Sequence, residues 1–187
     1  MGYRVAAKEL TRSIESFFFR EKGVFFEFQA RIICQLKSGH KILVFGNGGS
    51  AAQAQHFASE LVNRFLKERP PICAIALTTD TSSLTSISND TCFDFVFSRQ
   101  VEALGKEGDI ALGISTSGNS RNVIEAIRVA KRKGMITAAF TGEGGGKLSL
   151  EADYVIKVPS RKTPRIQEVH LFLIHLLAQE IEKKMFS

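Results

Sequence analysis

The chain has 187 residues, of which 44% are hydrophobic and 24% charged, and its net charge is +6. This composition is ordinary for one soluble globular domain and excludes a disordered chain, a collagen-like chain and a small disulfide scaffold. The longest apolar stretches are shorter than the ~20 residues of a membrane helix. The amino-terminal stretch has no apolar signal-peptide core. We therefore expect a cytoplasmic protein with no membrane partner.

The positive charge does not predict a nucleic-acid partner, because it is spread along the chain. The densest basic clusters are short, at residues 131–133 and 161–162, and no basic tail is present. A modest positive field also suits a small phosphorylated metabolite. The three cysteines, Cys34, Cys73 and Cys92, form no Cys-x-x-Cys pair, which predicts reduced thiols in a reducing compartment.

Residues 1–38 predict a pair of helices with a break near Gly23, since apolar residues recur at helical spacing. This segment is dense in phenylalanine, for example Phe17, Phe18 and Phe19. Large aromatic side chains beyond those needed to cap a core favour burial against another subunit.

From residue 39 onward, short apolar runs alternate with amphipathic segments. Strands are predicted at residues 41–45, 72–77, 109–114, 135–140 and 154–158, and helices at 51–65, 93–104, 119–133, 147–151 and 164–184. Most strand runs are continuously apolar, as expected for strands covered on both faces. The pattern predicts an α/β fold: a three-layer α/β/α sandwich with a five-stranded parallel sheet, preceded by the helical pair, in one domain of residues 1–187.

Two loops at predicted strand ends favour phosphate binding. The glycine loop, residues 46–50, reads Gly-Asn-Gly-Gly-Ser, and the serine loop, residues 115–120, reads Ser-Thr-Ser-Gly-Asn-Ser. Glycines allow a ligand to approach the backbone, and hydroxyls and helix N-terminal N–H groups bind anions. Ser50 is also a candidate N-cap. Each loop alone could also be a turn with a helix cap, although the serine loop has more hydroxyls than capping requires. The GxxxxGK[ST] P-loop is absent.

Polar residues on two predicted helices suggest a second kind of site. His56 and Glu60 are four residues apart and share a helix face. Gln167 and His175 lie on the otherwise apolar terminal helix. Two nitrogen or oxygen donors from each of two helices would suit zinc. A histidine on an apolar helix is more often a core or interface residue, so these patterns leave both interpretations open.

Six segments together carry a resemblance to a known family. They are residues 46–50, 56–61 (His-Phe-Ala-Ser-Glu-Leu), 88–90, 97–103, 113–120 and 165–170 (Arg-Ile-Gln-Glu-Val-His). Over nearly the whole chain the sequence resembles the phosphoheptose isomerases of the sugar isomerase (SIS) domain family. The serine loop alone marks the SIS family, whereas residues 56–60 and 165–170 with His175 point to the heptose enzymes.

The resemblance implies an aldose–ketose isomerase that converts sedoheptulose 7-phosphate to D-glycero-D-manno-heptose 7-phosphate through an enediolate. This is the first step towards the ADP- or GDP-heptose of lipopolysaccharide, carried out by cytoplasmic homotetramers with active sites between subunits. By position, the zinc ligands would be His56, Glu60, Gln167 and His175, with Glu60 and His175 as the acid–base pair. The implied substrate-binding residues are Asn47, Gly48, Gly49, Ser50, Glu60, Arg64, Asn89, Asp90, Ser115, Thr116, Ser117, Ser120 and Gln167.

Two alternative functions remain within the same family. A non-catalytic SIS protein of the replication-initiator-associating type would share the fold and bind another protein, but would not need the four candidate zinc ligands together. An isomerase of a pentose or hexose phosphate would keep the serine loop, so only substrate tests separate it from a heptose enzyme.

Overall fold

One five-stranded sheet forms the centre of the computed structural model, which describes residues 2–186. Its strands are β1 (Ile42–Gly46), β2 (Ala74–Ala76), β3 (Ile110–Ile114), β4 (Ile136–Thr141) and β5 (Tyr154–Lys157). All neighbouring pairs are parallel, in the order β2-β1-β3-β4-β5. The strand order reverses between β1 and β3, so the loops that follow these two strands border the crevice where ligands bind in such sheets.

Within residues 2–186, seven α-helices cover the sheet. They are α1 (Gly2–Arg20), α2 (Lys22–Lys37), α3 (Gly49–Val62), α4 (Thr81–Asp90), α5 (Ser98–Leu104), α6 (Arg121–Arg132) and α7 (Thr163–Met185). Helices α1, α2, α3 and α7 pack on one face, and α4, α5 and α6 pack on the other. Among the residues that the structure describes, no helix has the length and apolar character to cross a membrane. The predicted three-layer sandwich with an N-terminal helical pair is confirmed.

Burial on both faces explains the continuous apolar strands. In β1, Ile42 and Val44 join the core beneath α1, α2, α3 and α7, whereas Leu43 and Phe45 join the core beneath α5 and α6. Successive side chains of a strand point to opposite faces, so both sets must be apolar. This burial fixes the position of the end of β1. The glycine loop begins there, at Gly46.

Four details of the predicted helices are wrong. The predicted helix 147–151 is a 3₁₀ turn, Lys147–Leu150. The break between α1 and α2 falls at Glu21, and Gly23 lies inside the first turn of α2. The predicted helix 93–104 is a 3₁₀ turn, Phe93–Phe95, followed by α5. Helix α4 was not predicted, because its sequence is rich in serine and threonine, which compete with helical backbone hydrogen bonds. It forms because the Asp80 side chain caps it, accepting from the Ser83 N–H at 3.1 Å.

A buried histidine on α7 makes the fold sensitive to acid. His170 is fully buried, and its Nε2 donates to the Thr141 carbonyl oxygen at 3.1 Å. Burial lowers the pKa of His170 to about 4, outweighing the upward effect of that hydrogen bond. The unfolded chain, with an ordinary histidine pKa near 6.5, therefore binds a proton more readily than the folded protein between pH 6.5 and 4.

We expect the free energy of unfolding to fall by up to about 3 kcal/mol through this residue as the pH drops from 6.5 to 4. Urea unfolding of the wild type and of His170→Gln over this range measures it. The glutamine amide can still donate to the Thr141 carbonyl but does not titrate, so the variant should have a flatter pH dependence. Identical slopes for the two proteins would contradict this assignment.

Candidate functional site

Helices α3 and α7 bring three potential metal donors together. His56 and Glu60 lie on α3 and His175 on α7. The Nε2 atoms of the two histidines are 2.8 Å apart, and His56 Nε2 is 3.3 Å from Glu60 Oε1. One donor atom from each of the three residues lies within 4.8 Å of the others, and all three side chains are half-buried. We call this group the three-donor cluster.

The packing of the two helices explains this convergence. On α3, Phe57 and Leu61 are fully buried in the core, which leaves His56 and Glu60 at its border, one turn apart on the face towards α7. On α7, Ile174 is fully buried and its neighbour His175 sits at the edge of the same core. The sequence spacing of His56 and Glu60 predicted their pairing, whereas the contact with His175 spans 119 positions of the chain.

The cluster fits a zinc ion. Two ligands at the usual ~2.1 Å from a tetrahedral zinc lie about 3.4 Å apart. His56 Nε2 lies 2.8 Å from His175 Nε2 and 3.3 Å from Glu60 Oε1, so small side-chain movements would reach that spacing. Two imidazoles and a carboxylate are also a donor set that zinc binds commonly. Two imidazole Nε2 atoms this close cannot both carry a proton, so at least one of them offers a lone pair, and a bound cation would replace the proton between them.

Gln167, the fourth predicted ligand, lies two turns before His175 on α7, about 12 Å along the helix axis. Its amide group packs on Gly49 in the first turn of α3, and its backbone carbonyl accepts from Gln53 Nε2 at 2.6 Å. A Cβ added to Gly49 would lie 2.5 Å from Gln167 Nε2. The glycine therefore leaves room for the Gln167 amide. Its role as a ligand stays a prediction.

Gly49→Ala is expected to displace the Gln167 amide without unfolding the protein, because the atoms it meets are the end of a flexible side chain. If Gln167 is a ligand, zinc affinity and kcat/KM should each fall by about tenfold or more. Competition with a chromophoric chelator measures the zinc affinity, and a steady-state assay measures kcat/KM. Gly144→Ala, where an added Cβ meets nothing within 4 Å, is the matched control. Wild-type zinc affinity and activity in Gly49→Ala would remove Gln167 from the site.

The glycine loop is tied to the helix that follows the serine loop. Asn47 and Asn122 exchange two side-chain hydrogen bonds, at 2.9 and 2.8 Å. Asn122 is buried in the first turn of α6, and nothing in its local sequence marked it as a site residue. Ser50 is not the N-cap that the sequence suggested. Gly48, with φ +53°, caps α3, and Ser50 is buried within its first turn.

The serine loop presents a compact group of hydroxyls after β3. Ser115 Oγ lies 2.9 Å from Ser120 Oγ and 3.5 Å from Ser117 Oγ. Thr116, which lies between Ser115 and Ser117 in sequence, is half-buried. Ser120 is the N-cap residue of α6. The Ser120 side chain makes no capping hydrogen bond, so capping does not account for this hydroxyl. The grouping of the serine-loop hydroxyls at the start of α6 is typical of an anion site.

A second glycine-rich segment holds the serine loop in place. Gly142 N–H donates to the Thr116 carbonyl oxygen at 3.0 Å, and Leu148 N–H donates to the Gly118 carbonyl oxygen at 3.0 Å. Gly118 has φ +66°, and a Cβ there would overlap the carbonyl group of Gly145. Residues 142–148 therefore support the serine loop.

Three predicted substrate-binding residues lie on exposed segments. Arg64 follows α3 and pairs with Glu68 at 3.0 Å. Asn89 and Asp90 end α4, and Asn89 Nδ2 donates to Asp90 Oδ1 at 2.9 Å. The structure gives none of the three a contact with the three-donor cluster or the serine loop, so their roles stay predictions.

Comparison with known proteins places this geometry in a family. The family model of the SIS domain matches residues 7–142. The chain is 52% identical over 181 residues to the phosphoheptose isomerase of Desulfovibrio desulfuricans, covering 97% of this chain and 86% of that protein. The solved structure of a phosphoheptose isomerase from Neisseria gonorrhoeae has a TM-score of 0.89 at 44% identity, over 97% of this chain and 98% of the other. One from Francisella tularensis has a TM-score of 0.94 at 36% identity, over 97% of each chain. The chain therefore belongs to the phosphoheptose isomerases of the SIS domain family.

Proposed function

We propose that this protein is an aldose–ketose isomerase that converts sedoheptulose 7-phosphate to D-glycero-D-manno-heptose 7-phosphate, towards the ADP- or GDP-heptose of lipopolysaccharide. The observation that carries the proposal is the three-donor cluster of His56, Glu60 and His175. A protein that only bound another protein would not need two imidazoles and a carboxylate converging between helices. The names of the relatives and of the two similar structures agree with this activity.

In this proposal the cluster holds Zn²⁺, with Gln167 as a further ligand. The donor types and their spacing support this. Bound there, zinc would polarise the carbonyl oxygen of the sugar as a Lewis acid. A carboxylate has two oxygens, so one oxygen of Glu60 can face the metal while the other accepts a proton.

Glu60 and His175 supply the proton transfers. Glu60 removes the proton from C1 of the ketose as the carbonyl oxygen on C2 gains a proton from His175, which gives the enediol by way of an enediolate. The proton of His175 would be the one on Nδ1, because its Nε2 would face the metal. His175 then takes the proton from the oxygen on C1, and Glu60 returns its proton to C2, which gives the aldose. No atom is gained or lost, as an isomerisation requires.

The serine loop would hold the phosphate, with Ser115, Thr116, Ser117 and Ser120 donating to its oxygens. Their grouping at the N-terminus of α6 supports this, since the free N–H groups there also favour an anion. The remaining contacts to the sugar are assigned to Asn47, Gly48, Gly49, Ser50, Arg64, Asn89, Asp90 and Gln167.

A substrate panel tests the proposed reaction against the other SIS isomerases. Purified protein is incubated with sedoheptulose 7-phosphate and, separately, with pentulose and hexulose phosphates, and the aldose phosphates are quantified. We expect the heptulose phosphate to give the highest kcat/KM. A higher value for a shorter ketose phosphate would assign the protein to another substrate, and no product from any of them would favour a binding protein.

We also propose that the protein works in the cytoplasm as a homotetramer with sites between subunits. The three cysteines are free and exposed, which suits a reducing compartment. Large apolar side chains on α1 and α2 are exposed, Phe19 to 86% and Phe26 to 47%, and such a surface favours association.

Phe19→Glu is expected to lower the oligomeric mass, because a charge would then be buried in the proposed interface. Light scattering after size-exclusion chromatography measures it. Leu150→Glu, which changes a side chain that is 85% exposed outside α1 and α2, is the matched control and should leave the mass unchanged. An unaltered oligomer in Phe19→Glu would place the interface elsewhere.

A further inference from the structure

A buried ion pair lies next to the three-donor cluster, between Arg69 and Glu182. Arg69 Nε is 3.3 Å from Glu182 Oε2, and the two side chains are only 1% and 3% exposed. Removing two charges from water costs more than an ordinary ion pair returns unless their remaining polar atoms are also satisfied. The remaining polar atoms of Arg69 and Glu182 should therefore have other partners.

The arginine binds the end of α3. Its two terminal nitrogens donate to the backbone carbonyls of Leu61, at 2.7 Å, and Glu60, at 2.6 Å. The last carbonyls of a helix have no partner within the helix, so Arg69 caps α3 at the turn that carries Glu60. The conformation of this donor-bearing turn thus depends on a residue nine positions further along the chain.

The glutamate binds the segment that joins α3 to Arg69. Glu182, near the end of α7, accepts from the backbone N–H groups of Phe65 and Leu66, each at 3.0 Å. Burial alone would raise the pKa of Glu182, but these backbone hydrogen bonds and the one from Arg69 lower it, so the carboxylate is charged at neutral pH. The charged pair joins the end of α3, the connecting segment and α7 at one point.

This attachment sets the position of an aromatic ring over a candidate ligand. The ring of Phe65, whose backbone is held by Glu182, stacks on the ring of His175 with centroids 5.6 Å apart and planes 25° apart. The His175 ring also contacts the His56 ring nearly edge-on, with centroids 5.1 Å apart. His175 thus contacts Phe65 through its face and His56 nearly edge-on.

We propose that Arg69 and Glu182 are positioning residues for the three-donor cluster: their ion pair holds Phe65 against the His175 ring and so aims that ring at His56 and Glu60. Neither charged residue was a candidate from the sequence or needs to touch substrate. The proposal rests on the proposed zinc site for its functional consequence, but its geometric part concerns the metal-free protein alone.

The first test uses Phe65→Leu, which removes the stacked ring but keeps the backbone N–H that Glu182 binds. We expect zinc affinity, measured by competition with a chromophoric chelator, to fall by about tenfold, as for other groups that orient a metal ligand. Phe65→Tyr should restore it, because tyrosine stacks equally well. Leu66→Ala changes the exposed neighbour and is the matched control. Wild-type zinc affinity in Phe65→Leu would overturn the proposal.

The second test separates this proposal from the zinc site itself. In the metal-free protein, the ring protons of His175 should carry a ring-current shift from Phe65, visible by NMR and absent in Phe65→Leu. Glu182→Gln, which keeps the side-chain shape but loses the charge, should change that shift in the same direction. If the shifts change as expected but the wild type binds no zinc, the zinc site fails and the positioning stands. Unchanged His175 shifts in a folded Glu182→Gln would overturn the role of the ion pair.

Discussion

Glu60→Gln is expected to lower kcat by about 10² to 10⁴-fold while sugar-phosphate binding stays within a few-fold of the wild type. A glutamine amide has nearly the shape of the carboxylate but cannot accept the proton from C1, so the loss falls on the chemical step. The serine loop, which would hold the phosphate, shares no contact with Glu60 in the structure. Steady-state kinetics and calorimetric titration with sedoheptulose 7-phosphate measure the two quantities.

Zinc content must be measured alongside, because Glu60 is also a proposed ligand. Glu102→Gln provides the matched control, since Glu102 is an exposed carboxylate on α5 away from the site. Near-normal turnover in Glu60→Gln would refute its role as the base. If Glu60→Gln loses both turnover and bound zinc, and excess zinc restores both, Glu60 is a ligand rather than the base.

Gly118→Ala is expected to have the second-largest effect, on both stability and substrate affinity. The residue has φ +66°, a conformation that strains alanine, and the new methyl group would overlap the backbone of Gly145. Strain and overlap together should cost at least about 2 kcal/mol, which lowers Tm by roughly 5 °C or more in a chain of this size. Since the loop must move, KM for the sugar phosphate should rise by about tenfold or more.

Thermal unfolding and steady-state kinetics measure these effects. Gly144→Ala again serves as the control, because it lies in the supporting segment 142–148 but has open space around it. The control should match the wild type in both Tm and KM. A Gly118→Ala protein with unchanged KM would show that the serine loop does not hold the phosphate.

The sheet could be predicted because burial on both faces leaves a strong signal in the sequence. Continuous apolar runs such as Ile42–Gly46 are possible only where both sides of a strand meet a core. Helix α4 gave no such signal. Its few apolar residues, Leu84 and Ile87, pack against the core from one side only, and its many hydroxyl side chains are more typical of turns. Helix α4 is therefore stabilised by its cap and by a small area of contact with the core.

The candidate site could be predicted only where its members are neighbours in sequence or match a family motif. His56 and Glu60 share a face by spacing alone, but the expected zinc ligands and acid–base roles came from the family resemblance. Contacts between residues far apart left no local trace. The Asn47–Asn122 pair spans 75 positions and the Arg69–Glu182 pair spans 113, so both required the folded chain.

The central claim is a zinc-dependent isomerisation at the three-donor cluster, and one measurement tests it most directly. Aldoheptose 7-phosphate formed from sedoheptulose 7-phosphate is quantified with the protein as purified, after chelation, and after zinc is restored. We expect product to form, to disappear with chelation and to return with zinc. Product that persists after zinc has been shown to be removed would contradict the role of the metal. No product under any of the three conditions, from folded protein, would contradict the proposed reaction.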